Sequence, residues 1–146
     1  PDDLPDGTKV EVTISAGWGN FPKERERLFR TFRDSHAGRI ILLSGDRHLA
    51  EMATLPTTDP LSIGYPVYEI TSSSLNAPSG NMTKAGVRFA NEINPYRVGL
   101  TFFDVNYGNI LIDWTKDDPV IRMQVCDEKG GVVLQQRVSL SELQAK

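Results

Sequence analysis

The pair Asp46 and His48 is the feature of this sequence best suited to chemistry. The pair directly follows the apolar run at residues 40–43, and ligands of open α/β sheets collect outside the carboxyl ends of the strands. The two residues are two positions apart, so an extended segment would direct both side chains to the same side. A carboxylate oxygen and an imidazole nitrogen presented together suit a divalent or trivalent metal ion. A simple Asp–His hydrogen bond is the alternative, and this short motif does not decide between the two.

Other metal ligands are scarce, because the chain has only two histidines and one cysteine. His36 lies where a helix is predicted to end, and a protonated ring there would interact favourably with the helix dipole. Cys126 cannot form an internal disulfide, and we expect it to be a core residue. A complete two-metal site would therefore require ligands from another stretch of polypeptide. The chain begins at Pro1 without an initiator methionine, so we expect it to be part of a larger protein.

The elements that would position Asp46 and His48 lie on both sides of them. Alternating residues 10–14 predict a strand, after a polar linker at 1–8. A helix should follow, with Asn20 as its cap, Pro22 in its first turn and Gly38 as its left-handed end. The continuous apolar run at 40–44 predicts a strand buried on both faces. Residues 65–73 predict another interior strand, and residues 54–64 and 76–97 read as loops, with one turn of helix possible at 87–97.

The last third of the chain predicts an antiparallel meander. Strand-like runs at 98–103, 110–114, 120–126 and 132–138 are separated by segments rich in Asn, Asp and Gly, which are typical of hairpin turns. One of those predicted turns covers residues 106–109. Leu140 and Leu143 are expected to pack a short C-terminal segment. The predicted domain thus runs from 1 to 146, with an α/β (α+β) part at 9–75 and the meander and C-terminal segment at 98–146.

Composition limits the classes of function. The 146 residues are 39% hydrophobic and 24% charged, as in an ordinary globular domain. A net charge of −3 offers no broad basic surface for nucleic acid. No apolar run approaches the length of about 18 residues that a membrane-spanning helix requires. No signal peptide is visible in the sequence.

Several ordered motifs resemble the C-terminal half of PhoD-like alkaline phosphatases, which belong to the metallophosphoesterase superfamily. The matching segments are Trp18-Gly19-Asn20-Phe21-Pro22-x-x-Arg25-x-x-Leu28, Leu43-Ser44-Gly45-Asp46-Arg47-His48-Leu49-Ala50-Glu51, Tyr68-Glu69-Ile70-Thr71-Ser72-Ser73-Ser74, Asn94-x-x-Arg97-Val98-Gly99 and Asn106-Tyr107-Gly108-x-Ile110-x-Ile112-Asp113-Trp114. Together they extend over roughly residues 18–138. Two departures accompany them: the superfamily's early metal-binding motifs are absent, and the neighbours of Trp18 are Gly17 and Gly19 where many members carry an acidic residue.

The resemblance implies half of an αββα two-sheet sandwich with metal ions at the strand ends. It also implies hydrolysis of phosphate monoesters or diesters by metal-activated water, with Asp46 binding one metal and His48 the other. Two or more ions of Fe, Ca, Zn or Mn would fit a hard oxygen ligand and a borderline nitrogen ligand. The missing N-terminal half of the same protein becomes the expected partner. Family members are often exported, and this sequence does not decide its own location.

The remaining site candidates follow from the same segments. Arg47 is a candidate phosphate ligand through its planar guanidinium, with a structural salt bridge as the alternative. Trp18 and Asn20 are candidates for lining the substrate pocket. Glu51 is a candidate for orienting His48 or Arg47 by a polar contact, without binding the metal or the substrate itself. The serines at 72–74 are expected to make hydrogen bonds at a strand end rather than to act as nucleophiles.

Two other classes of function compete with the phosphatase hypothesis. A non-catalytic, β-rich binding or interaction module is suggested by the meander and the missing ligands. A serine hydrolase could recruit Ser44 or Ser72 with His48, although the sequence has no Gly-x-Ser-x-Gly motif.

Overall fold

The computed structural model describes residues 18–79 and 92–145. The predicted linker at 1–8, the predicted strand at 10–14 and the larger part of the predicted loop at 76–97 lie outside the described residues. Within the described ranges, no helix has both the length and the apolar character needed to cross a membrane.

The first described element is a 3-10 turn, Trp18–Asn20, which leads into helix α1, Pro22–Asp34. Pro22 occupies the first helical turn as predicted, where its missing N–H is not needed. The N-cap residue is Phe21 rather than Asn20, and no side chain caps the helix there. The predicted Asn20 cap is therefore wrong, because the 3-10 turn before the helix places Asn20 one residue too early.

The end of α1 also differs from the prediction. His36 takes the left-handed conformation, with φ 53°, in place of Gly38. Its N–H bonds the carbonyl of Arg33 at 3.1 Å, and the N–H of Ala37 bonds the carbonyl of Phe32 at 3.2 Å. These two bonds form a Schellman motif, which fixes the left-handed residue directly after the C-cap, whether or not that residue is glycine.

Seven strands form two sheets. A four-stranded sheet contains β1 (Ile41–Ser44), β2 (Ala50–Leu55), β3 (Val67–Ser72) and β4 (Arg97–Phe102) in the order β1-β3-β2-β4. β1 and β3 are parallel, whereas β2 is antiparallel to both β3 and β4. A three-stranded antiparallel sheet contains β5 (Asn106–Asp113), β6 (Val120–Asp127) and β7 (Val132–Ser139) in sequence order.

The predicted meander is confirmed for its last three strands only. β4 leaves it and pairs with β2 in the other sheet. The turn predicted at 106–109 is wrong, because these residues pair with residues 124–127 as the first half of β5. The Tyr107-Gly108 pair can lie in a strand because β6 pairs with it, and such tertiary pairing overrides the local preference for a turn.

The four-stranded sheet departs from the sequence prediction at two strands. β2 was not predicted, although five of its six residues are buried. β1 is an edge strand among the described residues and is not buried on both faces, because Leu43 is 69% exposed. β3 lies between β1 and β2, which confirms the predicted interior strand.

The two sheets enclose a common hydrophobic core. Met52 and Ile70 from the first sheet and Met123 and Val125 from the second are at most 4% exposed. Polar contacts also join the sheets, such as the hydrogen bond of 2.9 Å from the Ser72 hydroxyl to the Asn106 side chain. The described residues thus form a mixed α+β structure of two sheets and one helix.

The predicted packing of single residues holds at two places. Cys126 is 3% exposed, which confirms its place in the core, and Leu143 is completely buried in a 3-10 turn, Leu140–Leu143. The complete αββα sandwich and the division of the chain at residue 75 remain predictions.

Candidate functional site

Asp46 and His48 lie in the loop that joins β1 to β2. Both residues adopt left-handed backbone conformations, with φ of 63° and 54°. The loop is therefore not extended, and the expectation that both side chains point to one side because of strand geometry is wrong. Such conformations cost residues other than glycine about 1–2 kcal/mol each, so surrounding contacts must hold them. Both residues are exposed.

The ring of His48 is fixed by a backbone carbonyl. Its Nδ1 is 2.6 Å from the carbonyl oxygen of Ala77. A carbonyl oxygen can only accept, so Nδ1 carries the proton, and a neutral ring then has its lone pair on Nε2. Histidines that bind metals commonly have their other ring nitrogen donating to a carbonyl or carboxylate in this way. The His48 ring is thus in a form suited to a ligand at Nε2.

Two serines hold the backbone on either side of this ring. The Ser73 hydroxyl accepts from the N–H of Arg47 at 3.0 Å and donates to the carbonyl of Leu49 at 3.1 Å. Ser79 donates to the carbonyl of His48 twice, through its N–H at 2.9 Å and its hydroxyl at 2.5 Å. The left-handed turn at residues 46–48 is therefore fixed from outside by residues 73–79.

Behind the loop lies a network of two acidic and two basic side chains. Glu51 is buried, and its carboxylate is 2.7 Å from Arg97 Nε and 3.7 Å from an Arg47 guanidinium nitrogen. Glu92 contacts the same two arginines, at 2.5 Å from Arg47 and 3.6 Å from Arg97. The four charges balance, so each buried charge has an opposite partner. Glu51 thus contacts Arg47, and a phosphate at Arg47 would compete with two carboxylates.

Trp18 lines a different place, a cavity of about 240 Å³ between α1 and the four-stranded sheet. The polar residues around this cavity are Arg25, Ser44, Glu69 and Asn94. Neither Asp46 nor His48 is among its lining residues. Asn20 is exposed in the 3-10 turn beside Trp18.

The serines considered as nucleophiles have other partners. The Ser44 hydroxyl donates to the Glu69 carboxylate, and the Ser72 hydroxyl donates to Asn106. The expected strand-end hydrogen bonds are thus present for Ser72 and Ser73, whereas the prediction is wrong for Ser74, whose buried hydroxyl has no partner among the described residues.

A metal-ion site is not complete within the part of the chain that the structure describes. Residues 18–79 and 92–145 contain no cluster of three or more His, Cys, Asp or Glu arranged to hold an ion. This part of the chain therefore offers Asp46 and His48 as candidate ligands without a third.

Sequence reasoning missed the residues that hold the loop. Ala77, Ser79 and Glu92 carry no local signal, because a carbonyl contact or a long-range ion pair leaves no pattern in the sequence. Arg97 appeared in a motif without a role. The one available signal was Glu51, a charged residue between apolar neighbours, for which an oppositely charged partner is expected when it is buried.

Comparisons with known proteins bear directly on the identity of the chain. Residues 4–120 match the family of PhoD-like phosphatases. No curated protein and no solved structure matches the chain. The family match suggests a phosphatase-related, hydrolytic function, and it does not favour the non-catalytic module. Since the match extends over most of the 146 residues and includes the loop with Asp46 and His48, the chain belongs to the PhoD-like phosphatase family.

Proposed function

We propose that this chain is the C-terminal portion of a metal-dependent phosphoric ester hydrolase, with Asp46 and His48 as metal ligands. The observation that carries the proposal is the hydrogen bond between His48 Nδ1 and the carbonyl of Ala77. It leaves Nε2 as the acceptor nitrogen on an exposed ring, as a metal ligand requires. The family match supports the hydrolytic part of the proposal.

The donor set fits a metal ion but does not select one. Asp46 offers hard carboxylate oxygens, and His48 offers a borderline nitrogen, so ions of Fe, Ca, Zn and Mn all remain candidates. When bound, such ions supply a positive charge that stabilises the phosphoryl oxygens and activates water for attack. The chain's own contribution is to hold one carboxylate and one imidazole at the surface in a fixed loop.

The remaining ligands are proposed to come from the N-terminal half of the protein. Two observations support a partner segment beside β1. β1 pairs only with β3 among the described strands, so no described strand pairs with its other edge, and an added strand would complete the hydrogen bonding there. Leu43 in the same strand is 69% exposed, so a segment packed against β1 would bury this apolar side chain.

Of the three candidates for contacting the phosphate ester, Arg47 lies in the same loop as Asp46 and His48, whereas Trp18 lines the separate cavity and Asn20 lies beside Trp18 in the 3-10 turn. For Arg47 this requires exchange of Glu92 for substrate. A phosphate can take the place of the Glu92 carboxylate, because both groups are anionic and both accept hydrogen bonds from a guanidinium. Glu92 is the more exposed of the two carboxylates, with 36% of its side chain accessible.

The test is the replacement His48→Ala in the complete protein, with His36→Ala as the matched control. His36 is also exposed, but it lies at the end of α1. Hydrolysis of a chromogenic phosphodiester and monoester should fall by at least about 100-fold for His48→Ala, as expected for loss of a metal ligand, and bound metal should fall with it. His36→Ala should keep both. Full activity in the His48→Ala protein would refute the assignment.

A further inference from the structure

We propose that Ser73 and Ser79, here called the serine clamp, are positioning residues that fix the orientation and the tautomer of the His48 ring. This inference rests on the proposed function for its consequence in metal binding. The control of the His48 ring by the serine clamp does not depend on metal binding, and it is tested by a separate measurement on the metal-free protein.

The clamp bonds the backbone at three consecutive residues. Ser73 bridges from the N–H of Arg47 to the carbonyl of Leu49, and so closes the turn around His48. Ser79 holds the carbonyl of His48 itself through two donors. The backbone of His48 is thereby held at its own carbonyl and at both neighbouring residues, Arg47 and Leu49.

The clamp is needed because the loop is strained. Two non-glycine residues in left-handed conformations, Asp46 and His48, would relax toward ordinary backbone angles without external bonds. Hydrogen bonds of about 1 kcal/mol each are of the right size to oppose that relaxation. The clamp therefore maintains the backbone angle from which the ring of His48 reaches the carbonyl of Ala77.

Ser79 also couples the backbone and the ring of His48 through one short segment. It follows Ala77 by two residues, so one short segment both receives the ring proton of His48 and holds the carbonyl of the same residue. Ser79 is 4% exposed, so water is poorly placed to replace its hydroxyl. Loss of the hydroxyls removes three bonds and leaves two backbone bonds, from Ser79 N–H to the His48 carbonyl and from Ser73 N–H to the Leu49 carbonyl, so it should loosen the ring and the backbone together.

The experiment uses the double variant Ser73→Ala/Ser79→Ala of the intact protein. The matched control is Ser35→Ala/Ser62→Ala, whose hydroxyls also bond backbone groups, the carbonyl of Phe32 and the N–H of Gly64, both at 3.2 Å. Nitrogen-15 NMR of the metal-free protein at alkaline pH reports which ring nitrogen of His48 carries the proton. Calorimetric titration with Zn²⁺ alone reports the affinity of the site.

We expect His48 to carry its proton on Nδ1 in the wild type and in the control, and to change to a mixture of tautomers in the clamp variant. Zn²⁺ affinity should fall by about 10–100-fold in the clamp variant, the usual effect of removing groups that orient a metal ligand. The single variant Ser73→Thr, which keeps a hydroxyl at residue 73 and leaves Ser79 unchanged, should keep the wild-type tautomer and the wild-type Zn²⁺ affinity.

Two results would count against the clamp or separate it from the proposed function. An unchanged tautomer and an unchanged affinity in a folded clamp variant would overturn the inference. If the double variant does not fold, the single Ser79→Ala variant decides by the same criteria. A tautomer change in a protein whose wild type binds none of the Fe, Ca, Zn and Mn ions, each titrated separately, would support the clamp while refuting the proposed function.

Discussion

Replacement of Glu51 by glutamine should lower the free energy of unfolding by about 2–3 kcal/mol, because it removes one charge from a buried network. The Glu51 side chain is 6% exposed, and the two arginines that it contacts are 18% and 25% exposed. Glutamine has nearly the same shape, so the change isolates the charge from the packing. The prediction tests whether the four-charge network stabilises the loop that carries Asp46 and His48.

The magnitude follows from what remains after the substitution. Removing one partner of a fully buried ion pair costs about 3–5 kcal/mol, because the other charge is left uncompensated. Here Glu92 remains within 2.5 Å of Arg47 and 3.6 Å of Arg97, so compensation is only partly lost. The expected loss therefore lies below that range. For a chain of this size, about 3 °C of melting temperature corresponds to 1 kcal/mol, so the midpoint should fall by about 6–9 °C.

Urea unfolding followed by circular dichroism at neutral pH is a suitable assay, since the denaturant dependence gives the free energy directly. Glu24→Gln is the control, because Glu24 is 61% exposed and 3.5 Å from Arg27, and such surface pairs contribute about 0–1 kcal/mol. The double variant Glu51→Met/Arg97→Met removes both charges of the most buried pair, whose side chains are 6% and 18% exposed. It should recover most of the lost stability, because no buried charge is then left alone.

A loss for Glu51→Gln no larger than that for Glu24→Gln would refute the reasoning. So would a double Met variant that is less stable than Glu51→Gln, because the network would then act through packing rather than through charge.

The remaining predictions concern a strand end and a buried phenol. The hydroxyl and N–H of Thr115 bond the carboxylate of Asp113 and lower its pKa, so Asp113 stabilises the folded state at neutral pH and loses this contribution as pH falls through its folded pKa. Thr115→Val should raise the pKa of Asp113 toward its ordinary value in an NMR titration, and an unchanged pKa would contradict the assigned cause. Tyr65→Phe should lower the free energy of unfolding by about 1–3 kcal/mol, because the buried hydroxyl donates to the carbonyl of Ala37 at 2.7 Å and accepts from the N–H of Ile40 at 3.4 Å. Urea unfolding measures this loss, and equal stability of the two proteins would show that water replaces the hydroxyl.

The sequence alone was sufficient for features that depend on near neighbours. The proline in the first turn of α1, the second half of β5, and β6 and β7 follow from local sequence patterns and turn chemistry, and the ordered motifs were enough to identify the family. β2 was not predicted, because Ala-Glu-Met-Ala-Thr-Leu does not alternate between apolar and polar residues. It forms a strand because it pairs with β3 on one side and β4 on the other.

The geometry of the candidate site depended on the tertiary structure. The sequence placed Asp46 and His48 correctly as neighbours at the end of β1, but it suggested an extended segment. The left-handed turn that the structure shows is held by Ser73, Ala77 and Ser79, which lie 24 to 31 residues from their partners. Such long-range hydrogen bonds exist only once β1, β2 and β3 have assembled, and for that reason no local pattern could have revealed them.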